Sequence, residues 1–416
     1  MTRLSVTPAE GLLDEPRRIA VEGLQPAQTV VLSTRTLRGN GQYWLSSATY
    51  VADAEGRVDL ERDAPISGSY EGVSALGLLW SQRPEVEGAA DVFPDDVLQP
   101  LVTRIFVEGS DQEVALIQRL AAHGVTRREV REDGLVGTLF MPASKGPHPA
   151  VIVLNGSGGG INEPRAALYA SRGYAAFALG YFKAPGLSSY ISNTPLEYFV
   201  AGLNWVRREV RPAYDFVALS GQSRGGELVL LLGSMFPEAV SAVIGYVPSA
   251  LVHGGQAAAD PAVGRDGPAW LYEGKPLVHL WNDNKTASWA AKDAGLRNAE
   301  SISTALLDHE AVQRVAIPVE KIQGPVLLLS AGDDAAWPSA RFSRMALQRL
   351  QEAGHPWPVQ HLDFEHAGHT ILLPHIPATY SVDGAPAANA EANEQSWRAV
   401  KAFLDAAVNA RATKES

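Results

Sequence analysis

From about residue 129 onward, short apolar segments alternate with amphipathic segments, and this alternation restricts the fold more than any other feature of the sequence. Strands that are apolar along their whole length are typical of parallel sheets covered by helices on both faces. The sequence therefore predicts an α/β fold with a mostly parallel sheet. The predicted strands cover 150–154, 175–181, 216–219, 242–247, 325–330 and 359–364, and the predicted helices cover 163–173, 195–210, 226–235, 339–353 and 392–410.

The first hundred or so residues have a different pattern. Short segments rich in β-formers are separated by turn signals such as Gly39-Asn40-Gly41; these segments are 18–21, 29–33, 42–50 and 57–60. Many short strands at regular spacing predict an all-β, immunoglobulin-like antiparallel sandwich. We therefore expect a β-sandwich domain over 1–125 and an α/β domain over 126–416. The β domain contains no group of candidate catalytic residues, so we interpret it as a structural or substrate-shaping module.

An irregular segment rich in Gly, Asp, Asn and Trp covers about 251–310, between two predicted core strands. An insertion of that length is usually a lid or a binding loop, and the alternative is a purely structural excursion. Trp270, Trp281 and Trp289 in this segment are candidates either to line a substrate pocket or to serve as packing residues.

Composition excludes several classes of function. The net charge of −11 argues against a nucleic-acid partner. With no cysteine, the chain has no disulfide, thiolate metal site or Cys nucleophile. No run approaches the roughly 20 apolar residues of a membrane span, and the N-terminal segment lacks a signal-peptide core. We expect a cytoplasmic protein without metal or cofactor, since no H-E-x-x-H motif or other ligand cluster occurs; nothing in the sequence specifies an oligomeric state.

The strongest local motif is Gly221-Gln-Ser223-Arg-Gly225, which follows an apolar strand and precedes a helix. In that context a sharp turn presents the serine hydroxyl above the sheet, and the helix N-terminus favours a developing oxyanion. This arrangement is typical of the α/β-hydrolase fold, and it makes Ser223 the candidate nucleophile. Ser220 is the nearest rival, but it lies at the strand end and is not flanked by glycines.

Two elements are candidates for the oxyanion hole. One N–H donor should come from the residue after the nucleophile, Arg224, and the other from a glycine-rich loop after an earlier strand. The loop Asn155–Gly160 fits this role, with Ser157 or Gly158 as the donor. A phosphate cradle is the alternative, but the loop lacks the Lys-Ser/Thr ending of a P-loop and the spaced glycines of a dinucleotide site.

The candidate acid and base follow later strands. The apolar run 325–330 leads into Asp333 and Asp334, either of which could be the acid that orients an imidazole. Among ten histidines, His369 follows the last predicted strand, with His366 as its rival. The order Ser, Asp, His is the chain order of α/β-hydrolase triads, which supports His369 as the base.

These motifs together resemble the acyl-CoA thioesterases related to bile acid-CoA:amino acid N-acyltransferase (BAAT), over nearly the whole chain. The similar segments are 14–24, 77–80, Asn155–Gly160, Gly221–Leu228, Ile317–Lys321, Asp333–Trp337 and Ala367–His369. In that family's acid motif the second Asp stands three residues before the Trp, so the resemblance implies that Asp334 is the acid. It likewise implies Ser223 as nucleophile and His369 as base.

The resemblance implies hydrolysis of an acyl-CoA or related thioester through an acyl-enzyme on Ser223, in lipid metabolism. Two departures bear on this: the bile-acid acyltransferase uses Cys as nucleophile, which favours hydrolysis here, and Arg224 stands where the family often has Lys. The alternatives are a carboxylesterase or dienelactone-type hydrolase, and acyl transfer to an amine in natural-product or lipid metabolism. A silent hydrolase-fold protein with a binding role is disfavoured, because all three triad residue types and both glycine loops are present.

Overall fold

The computed structural model describes residues 2–415, which form two compact units. The first unit comprises the chain up to His123 together with Leu372–Trp397. The second comprises Gly124–Ile371 and the chain from Arg398 onward. The sequence placed residues 372–397 in the α/β domain, whereas in the structure they pack with the first unit: the Trp397 indole Nε1 donates to Asp14 Oδ2 at 2.7 Å, and His375 Nδ1 donates to the Leu13 carbonyl at 2.8 Å.

The first unit is a two-layer β structure. Its strands are β1 (Arg3–Thr7), β2 (Glu10–Leu12), β3 (Arg18–Glu22), β4 (Thr29–Arg38), β5 (Gln42–Val51), β6 (Val58–Asp59), β7 (Ser67–Gly68), β8 (Arg83–Pro84), β9 (Leu101–Val107) and β10 (Glu113–Arg119), with one helical turn, α1 (Gly77–Trp80). One sheet has the order β1-β3-β6 and the other β2-β10-β9-β4-β5-β7, with β8 beside β5. All pairs are antiparallel except β2 with β10.

The core of this unit is formed by the residues at alternate positions of its strands that face inward. In the hairpin of β4 and β5, buried and exposed residues alternate, as expected for strands with one face against a core. Ile19 and Val21 of the smaller sheet share one apolar cluster with Leu32, Tyr50 and Ile105 of the larger sheet. The predicted β-sandwich is therefore confirmed.

The second unit contains the remaining strands and most of the helices. Its strands are β11 (Thr126–Val130), β12 (Val136–Met141), β13 (Ala150–Leu154), β14 (Ala175–Gly180), β15 (Thr194–Pro195), β16 (Val217–Gln222), β17 (Ala242–Tyr246), β18 (Trp270–Tyr272), β19 (Lys275–Pro276), β20 (Val326–Ala331) and β21 (Val359–Phe364). Its helices are α2 (Glu163–Ser171), α3 (Glu197–Val210), α4 (Arg224–Met235), α5 (Ala290–Asp293), α6 (Asn298–Ala305), α7 (His309–Val315) and α8 (Ser339–Glu352). The last helix, α9 (Pro386–Glu415), begins in the first unit and ends in the second.

Within the described residues, the main sheet of the second unit has eight strands in the order β11-β12-β14-β13-β16-β17-β20-β21. The first two pairings are antiparallel and the others are parallel. Every residue of β13, β14, β17 and β20 is buried, which is why these strands are continuous apolar runs in the sequence. The predicted α/β fold is confirmed.

The sheet order explains how distant residues come together. The carboxyl ends of parallel strands lie at the same edge of a sheet, where α/β proteins place their ligand sites. Ser223 follows β16, Asp334 follows β20 and His369 follows β21, while the loop Asn155–Gly160 follows β13.

The insertion between β17 and β20 is more regular than predicted, because it includes β18, β19 and helices α5 to α7. Strand β18 pairs with β15, forming a small second sheet with β19. No helix between residues 2 and 415 is both long and apolar enough to cross a lipid bilayer.

Candidate active site

Ser223 occupies a strained turn between β16 and α4. Its backbone dihedral angles are φ 56° and ψ −118°, a conformation that residues with a Cβ rarely adopt. The Ser223 N–H donates to the Tyr246 carbonyl at 2.8 Å, which ties the turn to β17. A Cβ at Gly221 would lie 2.0 Å from the Gly225 carbonyl oxygen, so the turn requires glycine at this flank. This is the geometry of a nucleophile turn.

Ser223, His369 and Asp334 form a chain of hydrogen bonds, which we call the relay. The Ser223 Oγ lies 2.7 Å from His369 Nε2, and His369 Nδ1 lies 2.8 Å from each carboxylate oxygen of Asp334. A carboxylate on Nδ1 fixes the hydrogen on that nitrogen and leaves Nε2 as an acceptor for the serine hydroxyl. The structure thus brings together the three residues that the sequence singled out.

The Asp334 carboxylate is held in place from behind. Its Oδ1 accepts hydrogen bonds from the backbone N–H groups of Ala336 at 2.9 Å and Trp337 at 3.1 Å. The Trp337 ring also meets the His369 imidazole edge to face, with 6.1 Å between centroids. These contacts orient the Asp334 carboxylate and the His369 imidazole.

The three rival residues lie elsewhere. Ser220 is fully buried, and its hydroxyl pairs with that of Tyr169 at 3.0 Å. Asp333 forms an ion pair with Arg297 at 2.6 Å. His366 is exposed on the loop before His369. The hydrogen bonds of the relay therefore join Ser223, His369 and Asp334, and not the three neighbouring residues that the sequence left as alternatives.

The two predicted oxyanion elements flank Ser223. Arg224 is the first residue of α4, and the first N–H groups of a helix have no partner within it. In the glycine loop, Gly156 packs against the serine: a Cβ there would be 3.1 Å from Ser223 Cβ and 3.7 Å from its Oγ. Ser157 and Gly158 are exposed. The sequence analysis included Gly156 in the candidate loop but named Ser157 and Gly158 as the candidate donors.

A buried polar network lies beside the start of α4, next to Ser223, and sequence reasoning missed most of it. Arg224 and Glu227 form a fully buried ion pair at 2.7 Å, and Arg224 Nη2 also donates to the Gly254 carbonyl at 2.8 Å. Glu227 Oε1 accepts from the Trp270 indole at 2.9 Å and from the His253 N–H at 3.1 Å. Glu227 and Arg224 thereby link the start of α4 to the insertion.

Burial is the largest effect on the pKa values of two groups in this network, Glu227 and His253. It raises the pKa of the Glu227 carboxyl, and the positive charge of Arg224 acts against that rise. Burial also lowers the pKa of His253 well below its ordinary value, with Arg224 and His279 adding to the effect. A carboxylate in the apolar sequence of α4 was the one available signal; His253 and Trp270 lie in the irregular insertion, where spacing gave none.

The tryptophans of the insertion differ in environment. Trp270 is buried in the core and packs against Tyr181 and Phe199 with centroid distances of 6.0 and 6.1 Å. Trp281 and Trp289 stack on each other at 4.2 Å.

Across residues 2–415, no three His, Asp or Glu side chains are grouped so that they could hold a metal ion.

The sheet order, the strained serine turn and the relay at the carboxyl edge of the sheet define the α/β hydrolases. Residues 14–132 match the family described as "Acyl-CoA thioester hydrolase/BAAT N-terminal region", and residues 194–410 match "BAAT / Acyl-CoA thioester hydrolase C terminal". The chain belongs to this family, as its motifs indicated.

Full-length relatives agree with this assignment. The chain is 31% identical over 410 residues to human acyl-coenzyme A thioesterase 1, covering 94% of this chain and 93% of that protein. It is 32% identical over 412 residues to rat mitochondrial acyl-coenzyme A thioesterase 2, covering 94% and 86%. Among solved structures, Pyrococcus horikoshii acylaminoacyl peptidase aligns with a TM-score of 0.45 and 15% identity, covering 94% of this chain and 59% of that one.

Proposed function

We propose that this protein hydrolyses acyl-CoA thioesters to a free acid and CoA through an acyl-enzyme on Ser223. The relay carries the proposal: a serine hydroxyl at 2.7 Å from an imidazole that is held by a buried carboxylate, in a chain of the acyl-CoA thioester hydrolase family. Ser223 is the proposed nucleophile, His369 the general base and Asp334 the orienting acid.

In the acylation step, Ser223 Oγ attacks the thioester carbonyl carbon while its proton passes to His369 Nε2. Asp334 keeps the other ring proton on Nδ1 and stabilises the imidazolium that forms. The tetrahedral intermediate then collapses, the C–S bond breaks, and the leaving sulfur takes the proton from His369 Nε2, so that CoA departs as a thiol. A thiol of pKa about 8.5 leaves more readily than an alkoxide or amine would.

In the deacylation step, water takes the place of the thiol. His369 Nε2 accepts a proton from the water as it attacks the ester carbonyl on Ser223 Oγ. Collapse of the second intermediate returns that proton to the serine oxygen and releases the carboxylic acid. The same three side chains therefore serve both halves of the reaction.

The oxyanion donors belong to the same proposal. We assign one to the Arg224 N–H at the start of α4 and the other to the loop after β13. The packing of Gly156 against Ser223 favours the next N–H, that of Ser157, over Gly158, where an added Cβ would have no atom within 4 Å. Each such donor typically lowers the barrier by about 3 to 4 kcal/mol.

The test is release of free thiol from palmitoyl-CoA. Ser223→Ala should lower kcat by at least about 10⁴-fold, and Asp334→Asn by about 10⁴-fold, because the relay acts as a unit. The rivals supply matched controls: Ser220→Ala, Asp333→Asn and His366→Gln should each retain most of the activity. Full thiol release by Ser223→Ala would refute the proposal.

The alternative activities give different outcomes in the same assays. Turnover of p-nitrophenyl acetate without thiol release from acyl-CoA would indicate a small-ester hydrolase. Formation of an acyl-glycine when glycine is added would indicate transfer to an amine. Failure of a fluorophosphonate to label the chain would indicate a protein without a reactive serine.

A reducing, cytoplasmic location is part of the proposal and is compatible with the absence of cysteine. Fractionation of the source cells tests it, and recovery of the protein in an oxidising compartment would contradict it.

A further inference from the structure

Arg165 is a buried arginine in the first turn of α2 that the proposed reaction does not use. Its backbone N–H donates to the side chain of Asn162, which caps the helix, at 3.3 Å. This N–H is therefore already used in the helix cap. Arg165 as a whole residue is 1% exposed. The contacts of its guanidinium with neighbouring residues therefore define its role.

One nitrogen of this guanidinium joins the two loops that carry the nucleophile and the base. Nη2 donates to Gln222 Oε1 at 3.2 Å and to the Ile371 carbonyl at 3.2 Å. Gln222 directly precedes Ser223, and Ile371 lies two residues after His369, whose carbonyl accepts the Ile371 N–H at 3.1 Å.

Arg165 makes a third contact with Tyr246, which is hydrogen-bonded to the Ser223 turn. The Arg165 Cζ lies 3.9 Å from the centroid of the Tyr246 ring, a cation–π distance. The carbonyl of Tyr246 is the acceptor for the Ser223 N–H at 2.8 Å. Arg165 thus touches a neighbour of Ser223, a neighbour of His369, and the strand residue to which the serine turn is bonded.

Folding stability does not account for a charge in this position. Within residues 2–415, Nε and Nη1 of Arg165 have no hydrogen-bond partner, and no carboxylate lies within ion-pair distance of the guanidinium. A buried cation with unpaired donors costs folding free energy, and an apolar side chain of similar length would avoid that cost.

We propose that Arg165 is a positioning residue that sets the spacing between the Ser223 turn and the His369 loop. It does not touch the reacting atoms; it holds Gln222 and Ile371 so that Oγ and Nε2 remain at hydrogen-bond distance. This inference rests on the proposed function, because it treats Ser223 and His369 as a reacting pair.

The test uses Arg165→Met, which keeps the length of the side chain and removes its donors. The rate constant for labelling of Ser223 by a fluorophosphonate should fall at least tenfold, since a misplacement of about 1 Å can cost about a hundredfold in rate. The kcat for palmitoyl-CoA should fall in parallel with the labelling rate constant. Its KM should stay within about threefold of the wild-type value. The melting temperature should not fall, because the unpaired charge is gone.

Arg17→Met is the matched control. Arg17 is also 1% exposed, donates to two backbone carbonyls and has an unpaired Nε, but it belongs to the first unit. It should leave the labelling rate unchanged. Labelling and kcat within twofold of wild type in Arg165→Met, or an equal loss in Arg17→Met, would overturn the proposal.

A second variant decides the matter even where Arg165→Met does not fold. Gln222→Met removes one acceptor of Nη2 and should slow the labelling of Ser223 at least threefold; a wild-type labelling rate would overturn the proposal. Labelling requires no thioester, so a protein that hydrolyses no acyl-CoA would refute the proposed function while leaving this inference open to its own result.

Discussion

At the residue scale, Ser223 combines a strained backbone with a hydroxyl that is hydrogen-bonded to His369. A residue with a Cβ at φ 56° and ψ −118° costs on the order of 1–3 kcal/mol, and the structure holds it there through Tyr246 and the close approach at Gly221. The hydroxyl gains its position beside His369 at the expense of local stability. Such strain is common where function requires a fixed geometry.

This strain predicts that two variants without the Ser223 hydroxyl differ in stability in the opposite order to the usual one for glycine and alanine. Glycine is usually about 0.5–1 kcal/mol less favourable than alanine within a fold, but it tolerates the Ser223 dihedral angles. Ser223→Gly should therefore melt at a higher temperature than Ser223→Ala, as measured by differential scanning calorimetry.

The same pair of substitutions at Ser220, inside β16, is the control, and there glycine should be the less stable. If Ser223→Gly melts below Ser223→Ala, the turn is not strained in the way described.

Single residues also show where sequence reasoning succeeds. The convergence of Ser223, His369 and Asp334 could be predicted because each residue follows a recognisable strand and the three occur in the chain order typical of this fold. Arg165 could not, because its partners Gln222 and Ile371 lie 57 and 206 residues away in the chain and are brought together by the sheet. Local patterns carry no signal for such contacts.

At the element scale, α4 shows how packing overrides propensity. The sequence predicted a helix from residue 226, whereas α4 starts at Arg224. Gly225 and Gly226 are poor helix formers, but α4 packs so closely that a Cβ at Gly225 would lie 2.5 Å from the Leu154 carbonyl. The helices of the insertion were missed for the converse reason, since α5 to α7 are short and carry no clear periodicity.

The contact between α4 and the insertion gives a prediction of its own. Glu227→Gln preserves shape but leaves the buried Arg224 without a counter-charge, and breaking a buried pair typically costs about 3–5 kcal/mol. We expect a large loss in the free energy of unfolding, measured by urea denaturation. The loss should be accompanied by faster proteolysis within the insertion, because Glu227 also holds His253 and Trp270.

Glu310→Gln provides the comparison, because its ion pair with Lys285 in the same insertion is exposed on both sides. That change should have little effect on unfolding. Equal effects of the two substitutions would show that the Glu227 pair does not anchor the insertion.

At the scale of the whole molecule, five histidines that are buried or partly buried influence the response to acid. Burial lowers the pKa of His253, His279, His355, His361 and His375 below the ordinary value. Below about pH 6.5 the unfolded chain binds protons that the folded protein does not, so stability falls as the pH falls. Each histidine contributes up to about 1.4 kcal/mol per pH unit. Glu227, with its raised pKa, acts in the opposite direction, as one group against five.

The melting temperature should therefore decrease between pH 7 and pH 5.5. His253→Phe keeps an aromatic ring against Trp337, which lies 5.1 Å from the histidine ring, and removes the titrating group. This variant should show a shallower decrease over the same range. A slope identical to that of wild type would mean that His253 does not titrate in the way its burial requires.

The division of the chain has a consequence for its biosynthesis. The first unit includes Leu372–Trp397, so the part of the polypeptide that leaves the ribosome first lacks Trp397 and His375 until most of the protein has been translated. At about 5–20 residues per second, that wait lasts roughly ten seconds or more. Throughout that interval the first unit lacks the hydrogen bonds of Trp397 and His375, although strands β1 to β10 have already been synthesised.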